Sequence, residues 1–461
     1  MHFHPNDAHN ARLLYREIFF SSILSGIIAF NSAYVLRLGA SNADISLLSA
    51  LPALMAMLVA VPAGQFLQGR ARPHRWILTA LGIHWTGFLL LGFVPWVQLG
   101  WLPAGRLTML LLVVFGIPAH VWGVGSQAWM AEAVPEQHRM RVFSVRQFIN
   151  SSVTSVVTFV VGWLLSHTLF PRNYQLLYAL GWLSAMVSLA HLARVRVNHR
   201  PPPRRPAGRP KEAWRAWRPW PADLLDPAHR DFRRITLNAL AHSWGLWMAA
   251  PLYILRYVRE LDASDAWLGL HATVGGLATI VGLLFWRWAG ERLKPDRTFR
   301  LTILSAGVFP ALVALAPGLT PILLLDVFNG LFAGGINVSY ATVLIKALPE
   351  DRRTEFYGLY ATILNLGAFI APLLAVALAG VIGIRAVLFI CGILALLGSL
   401  THWIWRVPSA AAPPLLLPAA PAVEAPPEPP VPALVAPEGT PVSYPAADPV
   451  TEAPPPEPPA A

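Results

Sequence analysis

The chain is poor in cysteine, in charged residues and in recognisable enzyme motifs. Its single cysteine, Cys391, excludes an intramolecular disulfide. Charged residues make up 13% of the 461 residues and hydrophobic residues 55%, a balance far too apolar for one soluble core. The sequence lacks the Gly-x-x-x-x-Gly-Lys-Ser/Thr phosphate loop that an ATP-driven pump would carry. It also lacks the His-Glu-x-x-His, paired-cysteine and Gly-x-Ser-x-Gly patterns, so we predict neither an enzyme nor a bound metal or cofactor.

Long apolar stretches dominate the rest of the sequence. A helix needs roughly 20 apolar residues to cross a bilayer, and twelve stretches of the chain approach or meet that length. The sequence therefore predicts an all-α membrane protein with twelve transmembrane helices. The predicted spans, numbered one to twelve, are 14–37, 45–68, 76–98, 106–131, 144–166, 174–194, 234–258, 266–288, 300–316, 320–346, 356–380 and 383–405.

Two segments of the chain recur, which indicates an internal repeat. Ala133–Arg139 (AVPEQHR) returns 214 residues later as Ala347–Arg353 (ALPEDRR). A second pair, Gly39–Ala50 and Asp262–Ala272, leads into equivalent hydrophobic runs. Two six-helix pseudo-repeats in parallel are typical of transporters whose halves rock about a central site. We predict an N-terminal half at 1–194, a basic cytoplasmic linker at 195–233, a C-terminal half at 234–406 and a tail at 407–461.

The basic residues are distributed unevenly about the predicted spans. All but six of the 35 Lys and Arg residues fall on the side of the N-terminus. The exceptions are Arg37, Arg106, Arg172, Arg256, Arg259 and Arg385. The positive-inside rule then makes both termini cytoplasmic, and we expect the protein in a bacterial-type plasma (inner) membrane. Because the basic residues lie beside spans, we expect them to contact anionic lipid headgroups and not nucleic acid.

The predicted linker and tail differ in composition from the spans. The linker carries Pro201–Pro206 (PPPRRP), and we expect its Trp214, Trp217 and Trp220 to anchor it at the membrane interface. The tail holds 19 of the 43 prolines, and such a segment cannot bury enough apolar surface to fold. We therefore predict a disordered tail with polyproline-II character, while docking of a partner by the linker or the tail is an alternative.

The loops between spans carry motifs that resemble those of the major facilitator superfamily. That family shows Gly-x-x-x-Asp-Arg-x-Gly-Arg between its second and third spans. This chain has Gly64, Arg70 and Arg72 there, but Gln68 in place of the acid. The repeated Pro-Glu-x-x-Arg loops also resemble the family pattern. The resemblance covers residues 10–406 without assigning a subfamily, and it implies a transporter, expected to be a monomer, whose spans one, four, seven and ten line a central cavity.

Polar side chains on the faces of these spans are the candidate substrate contacts. Ionisable groups inside a membrane are costly and usually face the bundle interior, and Asp326 is the one acid well inside a predicted span. Asp326, Asn329, Asn337 and Tyr340 lie within about 80° of one another at 100° per residue, so they share one face of span ten. The full predicted set is Asn31, His120, Gln127, Asn150, His242, Asp326, Asn329, Asn337 and Tyr340.

Some of these polar residues also fit a structural interpretation. Ser, Thr and Asn side chains often hydrogen-bond between membrane helices, for roughly 0.6 kcal/mol on average. We favour that interpretation for the serines of span one. For span five we favour a cavity wall, because five polar residues share one face: Gln147, Asn150, Ser151, Thr154 and Thr158.

The histidines inside predicted spans divide into two groups. His120 and His242 fit either substrate contact or a structural hydrogen bond. His84, His191 and His271 are predicted to be structural.

Charged residues near the repeated loops are predicted to form a cytoplasmic gate. The repeat places Glu132 and Lys346 at equivalent positions with opposite charge, and Arg139 and Arg352 follow in the adjoining loops. We predict that these four residues form alternating contacts between the halves. The alternative is that they are water-exposed charges at helix ends, which is also our prediction for Glu17.

These features predict a secondary active or facilitative transporter that works by alternating access. The candidate cavity residues carry amides, hydroxyls, imidazoles and one acid, and none of them is Lys or Arg. The absence of a fixed positive charge favours a small neutral or weakly charged organic solute. Both uptake and efflux are open directions. Proton coupling through Asp326 or His120 is a further hypothesis, since buried carboxylates and imidazoles can change charge near neutral pH. The rival function is a non-transporting membrane sensor or assembly protein that acts through its linker or tail.

Overall fold

The computed structural model describes residues 5–68, 70, 72–97, 99–197, 227–293, 295–349 and 353–405, all within one compact unit of the chain. Most of the predicted linker, with its three tryptophans, and the whole predicted tail lie outside these residues. Within them the regular structure is helical, apart from one isolated bridge between Leu99 and Leu102. The predicted all-α class is therefore confirmed.

Long helices follow one another through the described part of the chain, and the first is interrupted by two residues. Short 3-10 turns occur at Val94–Trp96 and Pro227–His229, and a π-helical turn occurs at Arg256–Glu260. The long helices are α1 (Pro5–Ile28, continued by Asn31–Arg37), α2 (Asn42–Gln68), α3 (Pro73–Leu91), α4 (Ala104–Ala133), α5 (Glu136–His167), α6 (Arg172–Leu192), α7 (Arg230–Leu255), α8 (Asp265–Arg292), α9 (Pro295–Leu315), α10 (Leu319–Ala347), α11 (Arg353–Ile382) and α12 (Ile384–Ile404).

Ten helical segments in the described residues are long and apolar enough to cross a membrane. They cover all the long helices except α3 and α7. Both of these carry histidine and tryptophan, which lower the mean hydropathy of a helix. The prediction of a membrane protein with many helical spans is thus confirmed, whereas the number twelve stays a prediction.

The third predicted span ends earlier than expected. The sequence predicts it over 76–98, but α3 ends at Leu91 and a short 3-10 turn follows at Val94–Trp96. Pro95 lies in that turn. Proline has no backbone N–H, and its ring crowds the preceding turn of an α-helix, which disfavours continuation here, although Pro52 and Pro62 are accommodated inside α2.

The repeated segments that precede α2 and α8 begin their helices in the same way. The Ser41 and Ser264 hydroxyls each accept a hydrogen bond of 3.2 Å from the backbone N–H three residues later. Two residues before each serine the backbone has a positive φ, 82° at Gly39 and 50° at Asp262. Serine is a preferred first residue of helices because its oxygen satisfies one of the unpaired N–H groups. The repeated sequence therefore forms the same turn and the same helix N-cap before α2 and before α8.

Helices α1–α6 contact helices α7–α12 mainly through two pairs, α5 with α8 and α2 with α11. The α5–α8 pair approaches most closely at Gly162 and Gly269, where a Cβ added to Gly162 would lie 2.8 Å from the Gly269 Cα. Small residues allow such close packing of membrane helices. We call this contact the α5–α8 seam.

Candidate solute-binding site

A cavity of about 250 Å³ lies among α7, α8, α9 and α10. Asp326 is the eighth residue of α10, so the cavity lies about 10 Å from the start of that helix at 1.5 Å per residue. The lining residues are Tyr253, Tyr257, His271, Ala272, Gly275, Gly276, Thr279, Phe309, Asp326, Asn329 and Gly330.

The polar centre of this cavity is a pair formed by His271 of α8 and Asp326 of α10. The Nδ1 atom of His271 contacts the Oδ2 atom of Asp326, whose side chain is only 5% exposed. Glycines bring the two helices together here, because a Cβ on Gly330 would lie 2.6 Å from the carbonyl oxygen of Gly275. The close helix approach therefore places the imidazole against the carboxylate.

Aromatic rings enclose the pair. The Trp267 ring stacks on His271 with 5.2 Å between ring centroids and an interplanar angle of 8°, while Tyr257 meets His271 edge to face at 5.0 Å. Tyr253 lies 6.2 Å from Tyr257 and 5.6 Å from Phe309, again between ring centroids. The site is thus a carboxylate and an imidazole in a wall that includes three aromatic rings, Tyr253, Tyr257 and Phe309.

No lysine or arginine lines the cavity among the described residues. The nearest guanidinium, Arg256, is buried and engaged elsewhere: its Nη1 contacts Glu260 Oε2 and its Nη2 donates to the Ala316 carbonyl at 3.1 Å. Asp326 and His271 therefore set the charge of the cavity. With Asp326 ionised, that charge is zero when the imidazole is protonated and −1 when it is neutral.

Only two of the nine predicted contact residues, Asp326 and Asn329, line this cavity. The sequence predicts a structural role for His271, but the structure places it in the cavity against Asp326. The signal that could have identified it is its isolation, because it is the only titratable residue between Asp265 and Arg287. An ionisable group alone in an apolar span usually faces the bundle interior.

The other predicted contact residues lie elsewhere in the bundle. Asn31 accepts a hydrogen bond of 2.9 Å from the Tyr178 hydroxyl, and half-buried His120 lies on α4. Tyr340 pairs its hydroxyl with that of Tyr360. The side chains of Gln127 and Asn337 lie outside the described part of the structure.

His242 and Asn150 make contacts with neighbouring helices. His242 is 6% exposed, and its Nδ1 lies 2.9 Å from the Ser399 hydroxyl on α12. Asn150 accepts a 2.9 Å hydrogen bond from the Ser22 hydroxyl of α1. Both contacts correspond to the structural interpretation that the sequence analysis kept open. Asn150, predicted to be part of a cavity wall on span five, thus contacts α1.

A buried ion pair joins α1 to α5. Glu17 is predicted to be water-exposed at a helix end, and this is wrong, because it is 3% exposed and its Oε2 contacts Arg146 Nη1. Arg146 also donates to the Leu14 carbonyl at 2.7 Å, and the Ser188 hydroxyl of α6 donates to the Glu17 carbonyl at 3.0 Å. The arginine, which the sequence analysis counted among the loop charges, thus lies inside the bundle.

The predicted cytoplasmic gate falls partly outside the described residues. Glu132 is exposed near the end of α4, and Arg139 Nε donates to the Val134 carbonyl at 3.1 Å. The Lys346 side chain and the whole of Arg352 lie in the undescribed part of the chain. The gate therefore stays a prediction.

An ion pair joins the two sets of helices at the end of the bundle where α1 finishes and α8 begins. Arg37 Nη2 lies 2.9 Å from Asp265 Oδ1, and the Tyr174 hydroxyl of α6 donates to the same oxygen at 3.2 Å. Arg259, just after α7, donates to the Ala40 carbonyl, 2.6 Å away. We call this part of the bundle the Arg37 end.

The Arg37 end has two further connections between the sets. The backbone N–H of Ala266 donates to the Ser166 hydroxyl at 2.8 Å, and the α5–α8 seam lies one turn further along both helices. Asp265 and His271 are on the same helix, six residues apart. The contacts of the Arg37 end therefore lie about 9 Å along α8 from the solute cavity.

This bundle of apolar helices, closed at one end next to a small polar cavity, is the architecture of a polytopic membrane transporter. The family model described as "Major Facilitator Superfamily" matches residues 18–234 and 235–443, so the chain belongs to that superfamily. A search of curated protein sequences found no match.

Solved transporters share this fold at low sequence identity. A POT family transporter in complex with 5-aminolevulinic acid is similar with a TM-score of 0.64 and 13% identity, over 86% of this chain and 95% of the other. A mutant of the nucleoside transporter NupG is similar with a TM-score of 0.62 and 12% identity, over 86% and 100%. A bacterial metal transporter reaches 0.58 and 13%, over 88% and 99%. At such identities the similarity establishes the fold.

Proposed function

We propose that the protein is a secondary transporter that binds a small neutral or weakly charged organic solute in the His271–Asp326 cavity. The observation that carries the proposal is the cavity itself, in which an acid and an imidazole are set among aromatic rings about 10 Å deep in the bundle. Sites of this kind combine an apolar wall with a few polar groups that orient the ligand. All twelve long helices cross the membrane in this proposal, including α3 and α7.

The size of the cavity favours a small solute. At about 250 Å³ it is smaller than the range of about 300–1,000 Å³ that holds drug-sized ligands. The structural relatives that bind 5-aminolevulinic acid or carry nucleosides handle organic molecules, which agrees with this size class. We therefore place the substrate among small metabolites or amines.

Alternating access is supported by the contacts that join the two sets of helices at the Arg37 end. Under the arginine distribution this end faces away from the cytoplasm. Closure there, next to the cavity, corresponds to a conformation that releases solute to the cytoplasmic side. Opening requires that the Arg37–Asp265 pair separate while contacts form at the other end, where Glu132, Arg139, Lys346 and Arg352 are the proposed partners.

The proposed gate can be tested by exchange of charge. Reversing Glu132 and Lys346 together should preserve transport better than reversing either one, because only the double variant keeps opposite charges opposed. Harmless single reversals would remove these residues from the gate.

The test of the proposed function is flux by the purified full-length chain in proteoliposomes. A thermal-shift screen with sugars, amino acids, peptides and amines selects the solute. Movement of that solute, lost in Asp326→Asn and retained in Asp231→Asn, supports transport, because Asp231 lies outside the cavity and faces Arg234 at 4.0 Å. If the chain moves no solute, while truncation of residues 407–461 abolishes its cellular role, it acts as a sensor or assembly protein instead.

A further inference from the structure

We infer that the His271–Asp326 cavity binds an organic cation in exchange for the proton that His271 carries. This inference rests on the proposed function and names the chemical class of its substrate. The observation behind it is the juxtaposition of one buried carboxylate, one imidazole and several aromatic faces in a single small cavity.

The cavity wall combines two kinds of group that attract cations. Asp326 supplies a carboxylate, and Tyr253, Tyr257 and Phe309 supply ring faces with negative quadrupole potential. Aromatic rings around a cation are the usual means of binding amines and quaternary ammonium groups, and they gain strength when water is excluded. An anion would find no lysine or arginine among the described lining residues. The charge of the wall therefore favours a monovalent cation.

The imidazolium of His271 and a solute cation would compete for the same carboxylate. Two positive charges beside one buried carboxylate leave a net charge in a weakly polarisable site, which is unfavourable. When the cation enters, His271 therefore loses one N–H proton to water and remains as a neutral imidazole. One cation is bound and one proton is released, so the net charge of the site does not change.

The groups that face this pair do not change charge over the same pH range. From α7 and its continuation the neighbours are the phenols of Tyr253 and Tyr257, and Arg256, which is bound to Glu260. The indole of Trp267 on α8 and the ring of Phe309 on α9 carry no titrating group. From α5, Ser155 comes within reach of Gly276, and from α12 the Cys391 thiol lies on the side of Tyr253. Phenols, thiols and guanidinium groups ordinarily titrate above about pH 8, so none of these neighbours competes for the exchanged proton between about pH 5 and 8.

The test is calorimetric titration of the purified full-length protein at pH 5.5 and pH 8. The probes are choline, the alkylamines from ethylamine to hexylamine, and 3,3-dimethyl-1-butanol, which is the neutral counterpart of choline with the same shape. Repeating each titration in two buffers with different ionisation enthalpies counts the protons released per bound cation. Size-exclusion profiles verify that each variant is folded.

We expect at least one cation to bind and the neutral counterpart to bind at least about tenfold more weakly. Because the proton competes for the site, affinity falls as pH decreases through the histidine range. It should be about tenfold weaker at pH 5.5 than at pH 8, because one proton is displaced for each cation that binds. Close to one proton should be released at pH 5.5 and about none at pH 8.

Variants separate the roles of the two groups. Asp326→Asn should lose cation binding, and Asp326→Glu, which keeps the charge, should retain it. His271→Gln keeps a donor to Asp326 without a titrating ring, so it should bind the cation with equal affinity at both pH values and release no proton. Tyr257→Leu should bind more weakly than Tyr257→Phe, since only the phenylalanine keeps the ring face. Asp231→Asn serves as the matched carboxylate control.

The inference is overturned if no cation binds, if the neutral counterpart binds as tightly as choline, or if the wild-type chain binds a cation without releasing a proton at pH 5.5. These outcomes differ from failure of the proposed function. If a neutral solute is transported and no cation binds, the site is a transport site for another substrate. If neither cations nor neutral solutes cross the proteoliposome membrane, transport itself is excluded.

Discussion

At the scale of single residues, two buried pairs of ionisable groups, one in each set of helices, have different surroundings. Glu17 and Arg146 make further bonds within the protein, to the Leu14 carbonyl and to the Ser21 and Ser188 hydroxyls. His271 and Asp326 instead border a cavity and bond to each other. The first pair connects helices, and the second remains available to a ligand. A transporter needs both kinds of pair, one to hold a half together and one to respond to solute.

We predict that the Glu17–Arg146 pair stabilises the α1–α5 contact and takes no part in solute recognition. Glu17→Gln leaves a buried guanidinium without its counter-charge, which costs about 3–5 kcal/mol of unfolding free energy. The double variant Glu17→Gln with Arg146→Met should recover most of that loss, because no unpaired charge remains. Thermal unfolding in detergent measures both effects.

Solute affinity provides the control for this prediction. It should be unchanged in the double variant, which keeps the His271–Asp326 cavity intact. A double variant that is as unstable as Glu17→Gln would contradict the assignment.

At the scale of helices, close backbone contacts decide which side chains meet. The sequence identified Asp326 because it is the one acid well inside a predicted span. Its partner could not be identified in the same way, since the rotation of α8 against α10 is set by the contact of Gly275 with Gly330. Such a contact depends on residues that are 55 positions apart in the chain. The start of a helix depends on residues close together in the chain. The Ser41 and Ser264 segments are therefore recognisable as equivalent from their sequences alone.

Two features differ from the sequence-based prediction, the end of α3 and the burial of Glu17. The end of α3 lies just before Pro95, which disfavours a longer helix but which the hydropathy pattern passes over because the flanking residues are apolar. Burial of Glu17 depends on a partner on α5, 129 residues away in the chain, that no local pattern indicates. Elements and their order were therefore predictable, whereas pairings between helices were not.

We predict that the α5–α8 seam requires glycine at position 162. A Cβ there would lie 2.7 Å from the Asp265 carbonyl oxygen and 2.8 Å from the Gly269 Cα, so Gly162→Ala must push the helices apart. Overpacking of this kind costs about 1–3 kcal/mol, which thermal unfolding would detect. Gly116→Ala on α4 is the matched control, because a Cβ there meets no atom within 4 Å. Equal unfolding temperatures for the two variants would show that the seam tolerates a side chain.

At the scale of the whole molecule, the described contacts between the two sets of helices include a group at the Arg37 end that lies next to the cavity. They comprise the Arg37–Asp265 pair, the Arg259 contact with Ala40 and the bond between Ser166 and Ala266. A rocking motion of the two sets would have to break all of these together. Two predictions address this motion.

The first whole-molecule prediction is that fixing the Arg37 end stops transport. Cysteines introduced as Ser166→Cys and Ala266→Cys stand where a hydroxyl and a backbone N–H are 2.8 Å apart, so a short bifunctional thiol reagent should link them. Flux should be lost on linking and recovered when a cleavable linker is reduced. The native thiol, Cys391, is buried, which keeps background labelling low. Each single-cysteine variant treated with the reagent is the control, and full flux in the linked protein would contradict alternating access at this end.

The second prediction concerns the ion pair of the Arg37 end. Arg37→Gln removes two charge-assisted hydrogen bonds to Asp265, so the open population should rise by at least about tenfold, given roughly 1.5–3 kcal/mol for each bond to a charged group. A Thr279→Cys reporter in the cavity wall should then react faster with a membrane-impermeant thiol reagent added from that side. The exchange variant Arg37→Asp with Asp265→Arg should restore slow labelling. Equally fast labelling in the exchange variant would exclude an ionic origin.

The glycine contact of the α5–α8 seam has a consequence for how fast the protein can change conformation. Where Gly162 meets Gly269, two smooth backbones touch and no side chains interlock. Such a surface can separate and come together again without any change of side-chain rotamer. The activation barrier of the rocking step then resides in the few polar bonds around it, whose strength depends on water and salt at that face of the membrane. Turnover should accordingly respond to the ionic medium on the side of the bilayer that the Arg37 end faces.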